Sequence, residues 1–152
     1  MLDRLLGVVQ HRLAAPGQFD ALLEAVTDST RVVFIANPNN PTGVLVEGEG
    51  LRRLSRKFPE KNFVVDESYL PFVATPERWS LMAERPKNVL VLHSMSKIFR
   101  IPGLRIGFMV GDPALIDRMQ SFSLPWSVNS LALEAIHYLL EPNDAIDHFV
   151  MD

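Results

Sequence analysis

The sequence of 152 residues contains no cysteine, which excludes both disulfide bonds and thiolate metal sites. It also has no uninterrupted apolar run of about 18 residues, the length that a membrane-spanning helix requires. The formal net charge is only −3, so there is no electrostatic reason to expect nucleic acid or an anionic membrane as a partner. The first residues lack the pattern of a secretory signal, and we therefore expect a cytoplasmic protein.

The sequence does contain short apolar runs that alternate with segments of helical spacing. The apolar runs are Val32–Ile35, Phe63–Val65, Val89–Leu92 and Ile106–Val110. None of these runs alternates cleanly with polar residues, so we expect strands that are buried on both faces. The helical segments between them are Phe19–Val26, Gly50–Phe58 and a weaker one at Trp79–Glu84. This rhythm predicts an α/β protein, a three-layer α/β/α arrangement with a mainly parallel sheet.

After Val110 the pattern becomes helical. Asp112 and Pro113 are suited to the N-cap and first turn of a helix that runs to about Phe122. A second and stronger helix is predicted from Ser127 to Leu140. Its expected core-facing residues are Leu131, Ala135, Tyr138 and Leu139. A further helix is expected after Pro142, with Asn143 or Asp144 as its cap.

Lys97 is the central candidate for chemistry, because it follows the predicted strand Val89–Leu92 by a few residues. Ligands of open α/β sheets bind beyond the carboxyl ends of the strands. A lysine amine in such a place can condense with an aldehyde cofactor. On its own, however, Lys97 is better explained as a solvated surface charge.

Ser94, Ser96 and Arg105 flank this lysine and together could bind a phosphate. Hydroxyl groups donate single hydrogen bonds, and a guanidinium donates two parallel ones. Separately, the serines would be turn formers and Arg105 an exposed charge. Their clustering around one lysine favours an anion site.

Three further polar residues follow other predicted strands. Asp66 could pair with a protonated ring nitrogen, or it could simply cap a turn. Tyr69 could donate to a phenolic oxygen, or it could pack under a loop. Asn40 lies in a segment that Pro38 and Pro41 keep out of helix and central strand, and it too could reach that oxygen.

Taken together, these motifs resemble in order and spacing those of fold-type I aminotransferases of class I and II, over nearly all of residues 20–152. The matching residues are Asn40-Pro41-Thr42-Gly43, Asp66-x-x-Tyr69, Ser94-x-Ser96-Lys97 and Arg105. The resemblance implies pyridoxal 5′-phosphate as cofactor, with Lys97 as the lysine that forms a Schiff base. It further implies Asp66 on the pyridine nitrogen, Asn40 and Tyr69 on the phenolic oxygen, and the remaining three residues on the phosphate.

Within this family the sequence is most similar to the branch of histidinol-phosphate aminotransferase and threonine-phosphate decarboxylase. The segments Ile101–Arg105 and Pro125–Asn129 lean toward the decarboxylase, which acts on a phosphorylated amino acid, and the aminotransferase is the alternative. The resemblance makes Asn129 a weaker candidate for the substrate site. It implies a small amino-acid or amino-phosphate substrate and a homodimeric full-length protein.

The resemblance also implies that residues 1–152 form part of a large cofactor-binding domain. Neither the N-terminal phosphate loop nor the C-terminal small domain of the family is found, and no arginine follows Arg118 to bind a substrate carboxylate. An isolated chain of this kind could be catalytically silent, which is the main alternative to an active enzyme. A sheet that lacks strands and covering helices is also expected to expose apolar surface.

A remote alternative is a serine acyl-enzyme, because Ser94-Met95-Ser96-Lys97 has the formal S-x-x-K pattern. The sequence has no K-T-G motif, and Pro102 follows where a long helix would be needed. No metal site is expected, since the histidines lack the i, i+3 or i, i+4 spacing of ligands on one helix face.

Overall fold

The computed structural model describes residues 19–141, with side chains from residue 22 onward. The predicted cap at Asn143 or Asp144 lies outside the described residues. The helices are α1 Phe19–Ala25, α2 Gly48–Lys57, α3 Met95–Ile98, α4 Pro113–Gln120 and α5 Ser130–Leu140. The strands are β1 Val32–Ala36, β2 Asn62–Asp66, β3 Val89–Ser94 and β4 Gly107–Val110. Short 3₁₀ turns occur at Leu70–Phe72, Pro76–Arg78 and Pro102–Leu104.

The four strands form one sheet in the order β1-β2-β3-β4. The first three strands are parallel, with Val65 opposite both Ile35 and Val91, and β4 runs antiparallel to β3. The predicted α/β class and the mainly parallel sheet are therefore confirmed. Parallel order brings the carboxyl ends of β2 and β3 to the same edge of the sheet, directly beside each other.

The main core lies between one face of the sheet and α1 and α2. It contains Leu22, Val33, Ile35, Leu51, Leu54, Phe63, Val65, Leu81, Val89 and Val91. The opposite face of β1 is open among the described residues, with Val32 54% and Phe34 62% exposed, and β4 is also largely exposed. The expectation that every strand is buried on both faces is therefore wrong for β1 and β4.

Most predicted helices are confirmed, including α4, whose N-cap Asp112 accepts a hydrogen bond from the Ala114 amide at 3.1 Å. The helix predicted at Trp79–Glu84 is absent from the structure. Side chains from elsewhere hold this backbone in an irregular path: Arg52 donates to the carbonyl oxygens of Ser80 and Glu84. These contacts replace the hydrogen bonds that a helix would make within the segment.

Helix α5 begins three residues later than predicted. Of its four predicted core residues, Leu139 is buried and Ala135 packs against the core, as predicted, whereas the other two are exposed. Asn129 caps it by accepting a hydrogen bond from the Ala132 amide at 2.9 Å. Ala132 and Leu139 are buried in a second core with Met95 and Ile106, whereas the predicted core residue Leu131 is 74% exposed. Tyr138, also placed in the core by the sequence, is half exposed. In the described range, no helix combines the length and the apolar character needed to cross a membrane.

Candidate active site

The carboxyl ends of β2 and β3 form the floor of a cavity of about 420 Å³. The chain leaves β3 at Ser94 and turns at once into α3, while β2 ends at Asp66 opposite Leu92. The cavity is lined by Asp66, Ser68, Leu92, His93, Ser94, Ser96, Lys97, Arg105, Ile106, Gly107, Phe108 and Met109. Five of the eight residues that the sequence nominated therefore line one space.

Lys97 lies in α3 with its side chain exposed. Its Nζ atom donates a hydrogen bond to Ser94 Oγ at 3.3 Å and lies 5.5 Å from the centre of the Tyr69 ring, a distance typical of a cation–π contact. Tyr69 is half-exposed and is not among the residues that line the cavity. The structure thus brings an amine, a hydroxyl and a phenol into direct contact at the end of β3.

Ser96 and Arg105 lie on the adjoining wall. The buried Ser96 Oγ donates to the carbonyl oxygen of Ile106 at 3.4 Å, and the Met95 amide donates to the same oxygen at 3.1 Å. These bonds hold α3 against the segment that carries Arg105. Arg105 has the left-handed backbone conformation φ 54°, ψ 53°, which is uncommon for a residue other than glycine.

Asp66 reaches the cavity from the last position of β2. One carboxylate oxygen, Oδ1, accepts a hydrogen bond from the Ser68 amide at 2.9 Å, which fixes the turn after the strand. Ser68 Oγ in turn accepts from the Ser94 amide at 3.0 Å. The turns after β2 and β3 are therefore hydrogen-bonded to each other between the carboxylate and the lysine.

Asn40 and Asn129 do not line the cavity. Asn40 is exposed in the loop after β1, which is attached to the end of β2 by a hydrogen bond from the Asn37 amide to the Asp66 carbonyl oxygen at 2.9 Å. The Asn129 side chain caps α5, as described above. Roles for these two residues toward a cofactor or a substrate remain predictions.

Three residues around the cavity were not recognised as site residues from the sequence. Ser68 bridges the two turns, and Glu67 and His93 form a buried contact behind them, with His93 Nε2 3.3 Å from Glu67 Oε2. The sequence offers a partial signal, because Glu67 is a second carboxylate beside Asp66. Its partners, however, lie 13 to 26 residues further along the chain.

The donor set of the cavity suits a small phosphorylated aldehyde. It offers an amine, a carboxylate, several hydroxyls and a guanidinium, and its volume lies in the range of small-molecule sites. An amine reacts with an aldehyde, a carboxylate pairs with a protonated ring nitrogen, and hydroxyl and guanidinium groups bind a phosphate. The fold and the site together define the class: an α/β domain with a lysine-containing ligand site at the carboxyl ends of parallel strands.

The chain belongs to the family of class I and II aminotransferases, whose profile matches residues 13–151. It is 38% identical over 151 residues to histidinol-phosphate aminotransferase 1 of Nitrosococcus oceani, covering 95% of this chain and 40% of that protein. It is 39% identical over 140 residues to an aromatic amino acid aminotransferase of Nocardia farcinica, covering 84% of this chain and 39% of that protein.

The crystal structure of L-threonine-O-3-phosphate decarboxylase from Porphyromonas gingivalis has a similar fold. The TM-score is 0.68 at 35% sequence identity, covering 84% of this chain and 40% of that one. The chain thus spans about 40% of the length of the relatives that it matches. The family depends on pyridoxal phosphate, which is the cofactor that the sequence motifs indicate.

Proposed function

We propose that this chain is part of the large cofactor-binding domain of a pyridoxal-phosphate-dependent enzyme, and that Lys97 is the residue that binds the cofactor covalently. The observation that carries the proposal is that Lys97, Asp66, Ser94 and Arg105 line one cavity at the carboxyl ends of neighbouring parallel strands. When bound, the cofactor draws electrons away from the α-carbon of an amino substrate. All other parts of the mechanism belong to side chains of the protein.

Asp66 is proposed to keep the ring nitrogen protonated. Its Oδ1 is already held by the Ser68 amide, so the carboxylate has a fixed orientation before any ligand binds. Tyr69 contacts the ammonium of Lys97, and a phenol at that position can donate to an oxygen on the ring next to the reactive aldehyde. Asn40 is proposed for the same oxygen, from the loop that is bonded to the end of β2.

Ser94, Ser96 and Arg105 are proposed to bind the phosphate. Arg105 supplies a full positive charge and a planar fork of donors, which suits a phosphate better than an ammonium does. Both serines line the same cavity as Arg105. Binding here would hold the cofactor by its phosphate in the cavity that also contains Lys97 and Asp66.

For the whole protein we propose amino-group transfer on a small substrate, since the most similar relatives include aminotransferases for histidinol phosphate and for aromatic amino acids. In that reaction Lys97 Nζ would take up and release the α-proton of the substrate. Decarboxylation of a phosphorylated amino acid is the second candidate. It is supported by the Pro102-Gly103-Leu104-Arg105 segment and by the solved threonine-phosphate decarboxylase.

The test is a pyridoxal-phosphate titration of the purified chain, followed by visible absorbance, borohydride reduction and peptide mapping. We expect one reduced adduct, on Lys97, that is lost in Lys97→Ala. Lys87→Ala is the matched control, because Lys87 is an exposed lysine before the opposite end of β3. We expect it to leave the adduct unchanged.

Adducts spread over several surface lysines, or an adduct that persists in Lys97→Ala, would overturn the proposal for Lys97. Absence of any adduct would show that the chain alone does not bind the cofactor. The choice of reaction is tested on the complete protein: amino-group transfer yields an oxo product, whereas decarboxylation of threonine phosphate releases carbon dioxide.

A further inference from the structure

Glu67 is a buried carboxylate to which the proposed chemistry assigns no role. It follows Asp66 directly, has 0% of its surface exposed, and makes three polar contacts. The Leu81 amide donates to Oε1 at 2.7 Å, the Ser80 hydroxyl donates to Oε2 at 2.7 Å, and His93 Nε2 lies 3.3 Å from Oε2. A carboxyl group that is shielded from solvent needs such partners, because a buried polar or charged group without them is very costly.

The Leu81 amide and the Ser80 hydroxyl both donate to the carboxyl group of Glu67, so this group acts as an acceptor. We therefore assign the hydrogen of the 3.3 Å contact to His93 Nε2. In this way a carboxylate behind an imidazole selects one tautomer and one orientation of the ring. Phe108 stacks on one face of the His93 ring, with the two rings parallel within 8° and their centres 5.2 Å apart.

The pair connects the two strand ends that carry the proposed site. Glu67 directly follows Asp66, the last residue of β2, and His93 directly precedes Ser94, the last residue of β3. The Glu67 amide also donates to the Leu92 carbonyl oxygen at 2.9 Å, so backbone and side chain both link the strands at this level. His93 itself forms part of the cavity wall.

We infer that Glu67 is a positioning residue that acts through His93. The pair fixes the spacing between the turn that carries Asp66 and the turn that carries Ser94 and Lys97. Side chains from both turns can then bind the same ligand. This inference rests on the proposed function, because it takes pyridoxal phosphate as the ligand. Glu67→Gln replaces one carboxylate oxygen by an NH2 group, which donates and cannot accept, and the remaining amide oxygen is a weaker acceptor than a carboxylate oxygen. The substitution should therefore loosen the arrangement.

The experiment uses two readouts on the full chain and its variants. Nitrogen-15 NMR of labelled histidine should show His93 with its hydrogen on Nε2 in the wild type, and this signature should be lost in Glu67→Gln. The dissociation constant for pyridoxal phosphate, measured by absorbance, should rise about tenfold in Glu67→Gln and in His93→Phe, the loss expected for a hydrogen bond to a charged group. His93→Phe keeps the stacking on Phe108 and loses only the donor.

Three further variants separate positioning from simple packing. His93→Gln restores a side-chain N–H donor and should recover most of the affinity. The double variant Glu67→Gln/His93→Phe should bind no more weakly than Glu67→Gln alone, because both changes remove the same contact. Ser80→Ala removes the other donor to Oε2, leaves His93 in place, and should keep the affinity within about threefold of the wild type.

Affinities are compared only among variants that retain a cooperative thermal unfolding transition. If Glu67→Gln does not fold, His93→Phe and His93→Gln decide the question. Wild-type binding of pyridoxal phosphate with unchanged affinity in His93→Phe would overturn the inference and leave the proposed function intact. Failure of the wild type to bind would show that the chain alone does not bind the cofactor, and the positioning role proposed for this chain would be overturned with it.

Discussion

Asn37 and Val46 are joined by a pair of hydrogen bonds: Asn37 Nδ2 donates to the Val46 carbonyl oxygen at 2.9 Å, and the Val46 amide donates to Asn37 Oδ1 at 2.8 Å. The Asn37 side chain is fully buried. Its backbone amide also donates to Asp66, so one residue closes the loop after β1 and attaches it to β2. The loop carries Asn40, a proposed cofactor residue, but that residue is exposed and takes no part in the closure.

The two asparagines should therefore separate stability from binding. Asn37→Ala removes both side-chain bonds and leaves the Val46 backbone groups without these partners, which should lower the free energy of unfolding by about 2–4 kcal/mol. Asn40→Ala is the matched control and should change it by less than about 0.5 kcal/mol. Urea unfolding without cofactor measures both. Equal stability of the two variants would contradict the closing role of Asn37.

Gly107 and Gly103 form a second matched pair on either side of Arg105. A Cβ atom on Gly107 would lie 2.6 Å from the His93 carbonyl oxygen, which is backbone and cannot move aside easily, whereas nothing lies within 4 Å of a Cβ on Gly103. We expect Gly107→Ala to destabilise the chain by about 1–3 kcal/mol, the usual cost of overpacking. Gly103→Ala should be neutral or slightly stabilising. Thermal unfolding distinguishes them, and similar melting temperatures would refute the predicted clash.

The left-handed backbone of Arg105 predicts a conflict between stability and binding. This conformation is less favourable by about 1–2 kcal/mol of free energy for a residue with a Cβ atom, but not for glycine. Arg105→Gly should therefore raise the free energy of unfolding by about 0.5 kcal/mol, since part of the relief is offset by the larger entropy of the unfolded chain. The same change should weaken pyridoxal-phosphate binding by at least tenfold, because a charged donor is lost.

Arg118→Gly is the control for this substitution, because Arg118 lies inside α4 at a distance from the cavity. It should cost about 1 kcal/mol, the helix penalty of glycine, without any effect on cofactor affinity. Urea unfolding and absorbance titration of both variants give the four required values. A loss of stability in Arg105→Gly would show that the side chain contributes more to folding than its backbone costs.

The elements and residues that the sequence could predict are those with local signals. Lys97, Ser94 and Ser96 follow an apolar strand within a few positions, and the carboxyl end of a buried parallel strand is where ligands bind. The role of Glu67 could not be read in this way, because its partners become neighbours only when the sheet and the loop after Pro76–Arg78 have formed. Tertiary contacts of the same kind override the weak helical spacing at Trp79–Glu84.

The wrong core predictions for Leu131 and Tyr138 in α5 have a different cause. Its sequence, Ser130–Leu140, is apolar on most sides, so a period of 3.6 residues fits two overlapping stripes equally well. The Asn129 cap and the contacts with Met95 and Ile106 select the stripe of Ala132 and Leu139. The other stripe, with Leu131, is left facing outward among the described residues.

The exposed apolar residues of α5 and of the segment before it predict self-association of the isolated chain. Trp126 is 95% exposed, and Phe122, Leu124 and Leu131 are also largely exposed, which is unusual for a chain that stays monomeric in water. We expect a sedimentation coefficient that increases with concentration in velocity runs.

The double variant Trp126→Ser/Leu131→Ser should shift the chain toward monomer with little change in melting temperature, because side chains in water contribute little to folding. Leu139→Ser, on the buried stripe, should instead lower the melting temperature, since it removes about 2 kcal/mol or more of core packing. Concentration-independent sedimentation of the wild type would show that these exposed apolar residues do not mediate association.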